Sequence, residues 1–287
     1  MSIFPRKAGR LFALGVVSLT AAASLTACSS GGGEAADSDC TPAHEFTTVT
    51  PGELTVASYD YPPATLVEGD GLTGTEGDLL TEIAKLECLK LTVVTSGGAG
   101  AVIPSVETGR ADLGSGNWLR TKERAEIVHM SNPLWSDPQA IVSTSGITSD
   151  DLEGKKVGSV AGNLWNDSLQ KWLGDDFKVY QDDESVYGDL AAGRIDALVA
   201  SAASASYRFQ SVPIEGATIV DVTPNKNVPQ FDKVGQVMWP SSLDNEDLGK
   251  AIDENIETLR EDGTIKKILE EYGIDPAVGE PGEPNEL

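Results

Sequence analysis

Apolar positions along this chain alternate between two spacings. Leu54-Thr55-Val56-Ala57 and Leu89 to Thr95 are short β-rich runs. Between them, Leu79, Leu80, Ile83 and Leu86 fall on one stripe of a helix over Gly77 to Leu86. A second helix is predicted over Ile103 to Thr108, then a brief strand Ala111 to Gly114. Pro138 to Thr144 is predicted as a strand, followed by a helical turn at Asp151 to Gly154. The strand–loop–helix step then recurs as strand Lys156 to Val160, loop Ala161 to Trp165 and helix Asn166 to Leu173. Strands Lys178 to Gln181, Ile195 to Ala200, Ala217 to Val222 and Val234 to Trp239 follow, with helices at Val186 to Ala192 and within Ser201 to Phe209. Leu248, Ile252, Ile256 and Leu259, then Ile265, Ile268 and Leu269, predict two C-terminal helices. Strands alternating with helices argue an α/β sheet, and the ordered length exceeds one comfortable core, so two lobes are expected.

The stretch Thr108 to Trp135 carries the strongest candidate chemistry. A Gly/Ser/Asn loop holding Asn117, Trp118 and Leu119 leaves a predicted strand end, and Arg124 follows. A guanidinium offers a planar fork that matches a carboxylate with two parallel hydrogen bonds. Loops at strand ends of an α/β sheet are where ligands sit. Against this stands a plainer reading, a solvated arginine between Glu123 and Glu126.

The run from Thr108 to Trp135 resembles the signature of solute-binding proteins of ABC importers, polar-amino-acid type. Tyr61-Pro62-Pro63, Gly77-Asp78-Leu79-Leu80, Asp151-Leu152-Glu153-Gly154-Lys155-Lys156-Val157-Gly158, Gly193-Arg194-Ile195-Asp196-Ala197, and Arg260-Glu261-Asp262-Gly263-Thr264 through Tyr272-Gly273 resemble further motifs of that family, in family order. The resemblance implies a type II periplasmic-binding-protein-like fold: two α/β lobes joined by two crossing strands, with the ligand cleft between them. Lobe 1 would comprise residues 50–142 and 236–275, and lobe 2 residues 143–235. It further implies hinge closure on a small-molecule ligand, delivery to ABC permease subunits, no cofactor, no catalytic residue and a monomer.

In that family the residue matching Arg124 clamps a ligand carboxylate. Elsewhere the chain departs from the pattern. Leu119 stands where relatives carry a threonine, Ala200 and Ser201 where they often carry an amine-binding aspartate, and Val160 or Ala161 where they carry lysine or serine. Aromatic side chains could replace the missing charges. Trp118, Trp165, Tyr59 and Tyr61 fall on predicted cleft loops, with Asp60, Asn117, Asn163 and Ser201 beside them. Aromatic faces attract cations, so a solute with a cationic or methylated amine stacked between Trp118 and Trp165 is expected. Trp135 and Trp172 are expected to be core packing.

The N-terminus changes the picture of location. Arg6, Lys7 and Arg10 precede an apolar stretch, Leu11 to Leu25, and Leu25-Thr26-Ala27-Cys28 resembles a bacterial lipobox. Residues 1–27 are read as a lipoprotein signal peptide and Cys28 as the lipidated residue, anchoring the protein to the outer face of the cell membrane. The alternative is an ordinary signal peptide. Residues 28–49 are read as a lipid-anchored flexible tether, whose Gly/Ser/acid segment Ser29 to Asp39 cannot bury a core. Cys40 and Cys88 remain. In an oxidising compartment they are expected to pair, contributing about 3–4 kcal/mol through loop closure, the alternative being two free buried thiols. Residues 276–287 are read as a disordered acidic tail.

The formal charge of −24 disfavours nucleic-acid partners. His44 and His129 are the only histidines, each expected to be structural, and no spacing resembles a metal site. The rival classes are a secreted dehydratase-like enzyme on the same fold and a ligand-sensing module for a separate receptor.

Overall fold

The computed structural model describes residues 40–69 and 71–287. The expected signal peptide over residues 1–27, Cys28 and the Ser29 to Asp39 segment lie outside the described residues. In chain order the elements begin β1 (Glu53–Ser58), β2 (Leu66–Glu68), β3 (Gly71–Thr73), α1 (Gly74–Leu86), β4 (Lys90–Thr95), α2 (Val102–Glu107), β5 (Leu113–Gly114), β6 (Trp118–Leu119), α3 (Lys122–Ala125), β7 (His129–Met130) and β8 (Ser136–Asp137). They continue β9 (Gln139–Ser143), β10 (Val157–Val160), α4 (Asn166–Leu173), β11 (Phe177–Tyr180), α5 (Asp183–Ala191), β12 (Ala197–Ser201), α6 (Ala202–Ser211), β13 (Thr218–Asp221), β14 (Gly235–Met238), β15 (Pro240–Ser241), α7 (Glu246–Glu261) and α8 (Thr264–Glu271).

Two five-stranded sheets result, ordered β4-β1-β5-β15-β7 and β11-β10-β12-β9-β13. Each forms a lobe with its own core. In the first, Leu54 and Val56 of β1 pack against Leu79, Leu80 and Ile83 of α1, and against Ile252, Ile256 and Leu269 of the returning C-terminal helices. In the second, Val157, Ala197 and Val199 pack on one face against Leu169 of α4 and Trp165 just before it. Leu198, Val186 and Leu190 close the other face. The inner parallel strands β1, β5, β10 and β12 are buried along nearly their whole length, as sheets covered on both faces require, while the edge strands β4 and β11 are partly exposed.

The chain passes between the lobes twice, at β8 going out and at β14 returning. These strands pair antiparallel, Gly235 opposite Asp137 and Gln236 opposite Ser136. This corrects the expected boundary at residue 142. Gln139 to Ser143 is an integral strand of the second sheet, hydrogen-bonded to β12 and β13, so the first passage lies at Ser136–Asp137. Trp118–Leu119 is also not free loop, since it pairs with Met238 and Val237 of β14.

Two terminal segments are more ordered than their composition suggests. Residues 40–49 are not a flexible tether. Cys40 is bonded to Cys88, Ala43 N–H donates to Leu86 O at 3.1 Å, and the His44 ring bridges Glu87 and Glu254 at 2.6 and 3.0 Å. Val49 N–H donates to Asp112 at 2.7 Å. Residues 276–287 are not disordered either. The Gln236 side chain donates to Pro281 O and Glu283 O at 2.9 and 3.0 Å, and accepts from Asn285 N–H at 2.6 Å. Leu287 N–H donates to Arg120 O at 3.1 Å, and Val278 and Leu287 pack on the first core. A tail of Gly, Pro and acids has few apolar side chains to bury. It is held instead because side chains and backbone of the body satisfy its backbone groups.

Candidate binding cleft

The C-terminal ends of the parallel strands in both sheets open onto one cavity of about 790 Å³. That is the position at which open α/β sheets take ligands. Arg124, Trp118, Tyr59, Asp60, Tyr61, Asn117, Leu119, Trp165, Asn163 and Ser201 all line it. Residues as far apart in sequence as Tyr59, after β1 of the first sheet, and Ser201, at the end of β12 of the second, thus line one cavity.

Arg124 is set by its short helix. Thr121 caps α3 by accepting from Arg124 N–H at 3.2 Å. The guanidinium lies over the Trp118 ring, 4.6 Å from its centroid, and Nη1 donates to Leu119 O. Burial pushes its pKa down from 12.5 to about 10, because removing a cation from water disfavours the charged form. None of the ion pairs among the described residues includes Arg124.

The loop after β5 is shaped by backbone requirements. Gly116 has φ 124° and Asn117 has φ 58°. A Cβ on Gly116 would run into the Tyr59 ring, whose hydroxyl donates to Gly116 O at 3.0 Å. Glu76, in the first turn of α1, accepts from Asn117 N–H at 2.5 Å, Gly116 N–H at 3.1 Å and Trp239 Nε1 at 2.8 Å. Burial raises its pKa from 4.5 to about 7, against the pull of these donors. Asp137, on the outgoing passage, accepts from Asn117 Nδ2 and Ser201 Oγ, each at 2.7 Å. It lines the cavity, and burial raises its pKa as well. Tyr61 is raised by burial, with Asp137 the strongest charge acting on it. Asp60 accepts from Val67 N–H at 2.7 Å.

The expected aromatic sandwich is not what these rings form. Trp165 is only 3% exposed, packs in the second lobe core and donates its indole N–H to Ser159 Oγ at 2.9 Å. It lines the cavity with little of its surface exposed. One face of Trp118 is covered by the protein's own Arg124. Asn163 also donates to Ser159 Oγ, at 3.1 Å, while Leu119 is buried in the first core. Trp135 is buried in the first core and Trp172 packs against the second, as expected.

Sequence reasoning missed Glu76, Asp137, Asp183, Ser204 and Arg208. The last four line the cavity, and Glu76 holds its loop. An acid such as Glu76 reads in a sequence as a solvent-facing position; only its place one turn before an apolar stripe distinguishes it.

The family model for bacterial extracellular solute-binding proteins, family 3, matches residues 54–275. The L-cystine-binding protein TcyJ of Escherichia coli (strain K12) is 28% identical over 219 residues, covering 74% of this chain and 79% of that protein. The lysine/arginine/ornithine-binding periplasmic protein of the same strain is 28% identical over 213 residues, covering 71% and 80%. Among solved structures, an ancestral arginine-binding protein bound to glutamine superposes with a TM-score of 0.65 at 29% identity, covering 78% of this chain and 98% of that one.

Proposed function

Because the chain belongs to the bacterial extracellular solute-binding proteins of family 3, we propose that it is the substrate-binding component of an ABC importer, capturing an amino acid or amino-acid-like solute through Arg124. The supporting observation is the buried guanidinium, propped by Trp118 and lacking an anion, on the wall of a cavity lined by both lobes. A ligand carboxylate fits that fork with paired charge-assisted hydrogen bonds. The opposite charge of the solute meets acids, since Asp60, Asp137 and Asp183 line the same cavity. An amine end therefore replaces the stacked cation expected from the sequence. The related proteins named above bind cystine or basic amino acids by their own descriptions, which accords with this polarity.

In this reading the lobes rotate about the β8–β14 pair and shut on the solute. The loaded form then docks on a membrane permease as a monomer, held at the outer face of the membrane by a lipid on Cys28. The protein catalyses nothing.

A thermal-shift screen of the purified protein against amino acids, betaines and opines tests this. Binding stabilises by about 2.7 kcal/mol when the ligand stands at about 100 times its dissociation constant. The expected outcome is stabilisation by at least one α-amino acid and by no amine analogue that lacks every carboxylate. Stabilisation by permanently neutral solutes alone would contradict it.

A further inference from the structure

The second lobe holds charged groups that the clamp at Arg124 does not use. Asp183 opens α5, immediately after β11, and Arg208 lies on the third turn of α6. Both line the cavity, on the lobe opposite Arg124. Arg208 repeats the arrangement of Arg124, with its guanidinium carbon 5.5 Å from the centroid of the Tyr187 ring. Its Nε is buried and has no hydrogen-bond partner among the described residues. Lys178 and Arg194, the other cations of this region, are both committed to Asp189. Asp183 is largely buried, and Arg208 is the leading charge acting on it, yet the two form no ion pair within 4.0 Å among those described. A carboxylate and a guanidinium thus line one cavity with no ion pair between them among the described residues.

We propose that Asp183 and Arg208 form a second head-group subsite, so that the solute carries an amino-acid zwitterion at each end: one carboxylate on Arg124, the other on Arg208, and the distal amine on Asp183. The proposal rests on the reading of Arg124 as the first clamp. A single-headed amino acid, once the lobes shut, would leave Asp183 and Arg208 desolvated and unpaired, which is a penalty. A two-headed solute satisfies both. A site built to bond a polar group strongly rejects the analogue that lacks it. The cavity of about 790 Å³ suits an elongated ligand, since small-molecule sites span about 300–1,000 Å³.

Three probes dissect the subsite by calorimetric titration of the purified protein. L,L-2,6-diaminopimelate has both heads. L-Lysine is the same chain without the distal carboxylate, and L-2-aminopimelate the same without the distal amine. The expected result is tighter binding of diaminopimelate than of either, by about 30-fold or more, the scale at which loss of a buried charged partner is felt. Arg208→Met should bring the diaminopimelate-to-lysine ratio to within about threefold. Asp183→Asn should do the same for the diaminopimelate-to-aminopimelate ratio. Unchanged ratios in both variants would overturn the subsite, as would a wild-type preference for lysine. If lysine binds through Arg124 while all ratios stay flat, only this subsite fails. If none of the probes binds a folded protein, the clamp and the subsite fall together.

Discussion

The guanidinium of Arg124 and the indole of Trp118 are stacked, 4.6 Å from carbon to ring centroid. Trp118 is itself fastened, because its strand pairs with β14 opposite Met238. The cation is therefore pre-positioned by a ring that rests on one of the two inter-lobe strands. Little of its rotamer freedom remains to be lost when a carboxylate arrives.

Replacing Arg124 with lysine keeps a charge but removes the fork. Arg124→Lys should weaken binding of an α-amino acid by about 2–4 kcal/mol, or about 30- to 1,000-fold. Titration calorimetry would measure it. Affinity within about threefold of wild type would show that the fork is not used.

Trp118→Ala removes the platform and leaves the guanidinium in place. A cation over an aromatic face is worth about 0.5–2 kcal/mol, so affinity should fall by a few- to about 30-fold, and Trp118→Phe should restore part of it. Indole fluorescence and calorimetry on the pair of variants check this. Equal loss in both would argue against a role for the ring face.

Glu76 makes a pH prediction. Its folded pKa is raised from 4.5 to about 7, so the folded state holds the proton that the unfolded state has released. The stability it contributes is present below pH about 4.5 and is lost as pH rises to about 7. Relative to Glu76→Gln, the wild type should lose on the order of 3 kcal/mol across that window. The amide variant will be offset, because it mismatches one of three donors. The slope, followed by denaturant unfolding at several pH values, is the readout, and parallel wild-type and variant curves would refute the assignment.

The C-terminal segment should behave as a strap on the returning passage. Gln236→Leu removes three hydrogen bonds to residues 281–285, each worth about 0.5–1.5 kcal/mol. Unfolding midpoints should drop by the equivalent of about 1.5–4.5 kcal/mol, and limited proteolysis should begin to clip the last residues. No change in protease sensitivity would mean that the strap is held by other contacts.

Much of this architecture was legible from apolar spacing. The helix at Ile103 to Thr108 differs from the observed Val102–Glu107 by one residue, and the strand Lys156 to Val160 from Val157–Val160 likewise. Core positions such as Leu79, Leu80 and Ile83 must repeat with the helix whatever surrounds them. The expected Cys40–Cys88 disulfide is present. The cleft residues were found through strand ends, and all ten line one cavity. Illegible were the groups whose role depends on partners distant in sequence. Glu76 and Asp137 are polar letters that tertiary structure buries. Trp165 sits beside a turn, and only the position of Ser159 shows that its indole turns inward. The tail looked structureless because the side chain that holds it, Gln236, lies 45 residues from Pro281.

The central claim is that a carboxylate on the solute closes the charge at Arg124. Titration of the purified protein with paired ligands tests it most directly: L-lysine against cadaverine and L-arginine against agmatine. The account predicts heat and saturation with carboxylate-bearing members, and none with cadaverine or agmatine at the same concentrations. Equal affinity for an amino acid and its decarboxylated amine would contradict it.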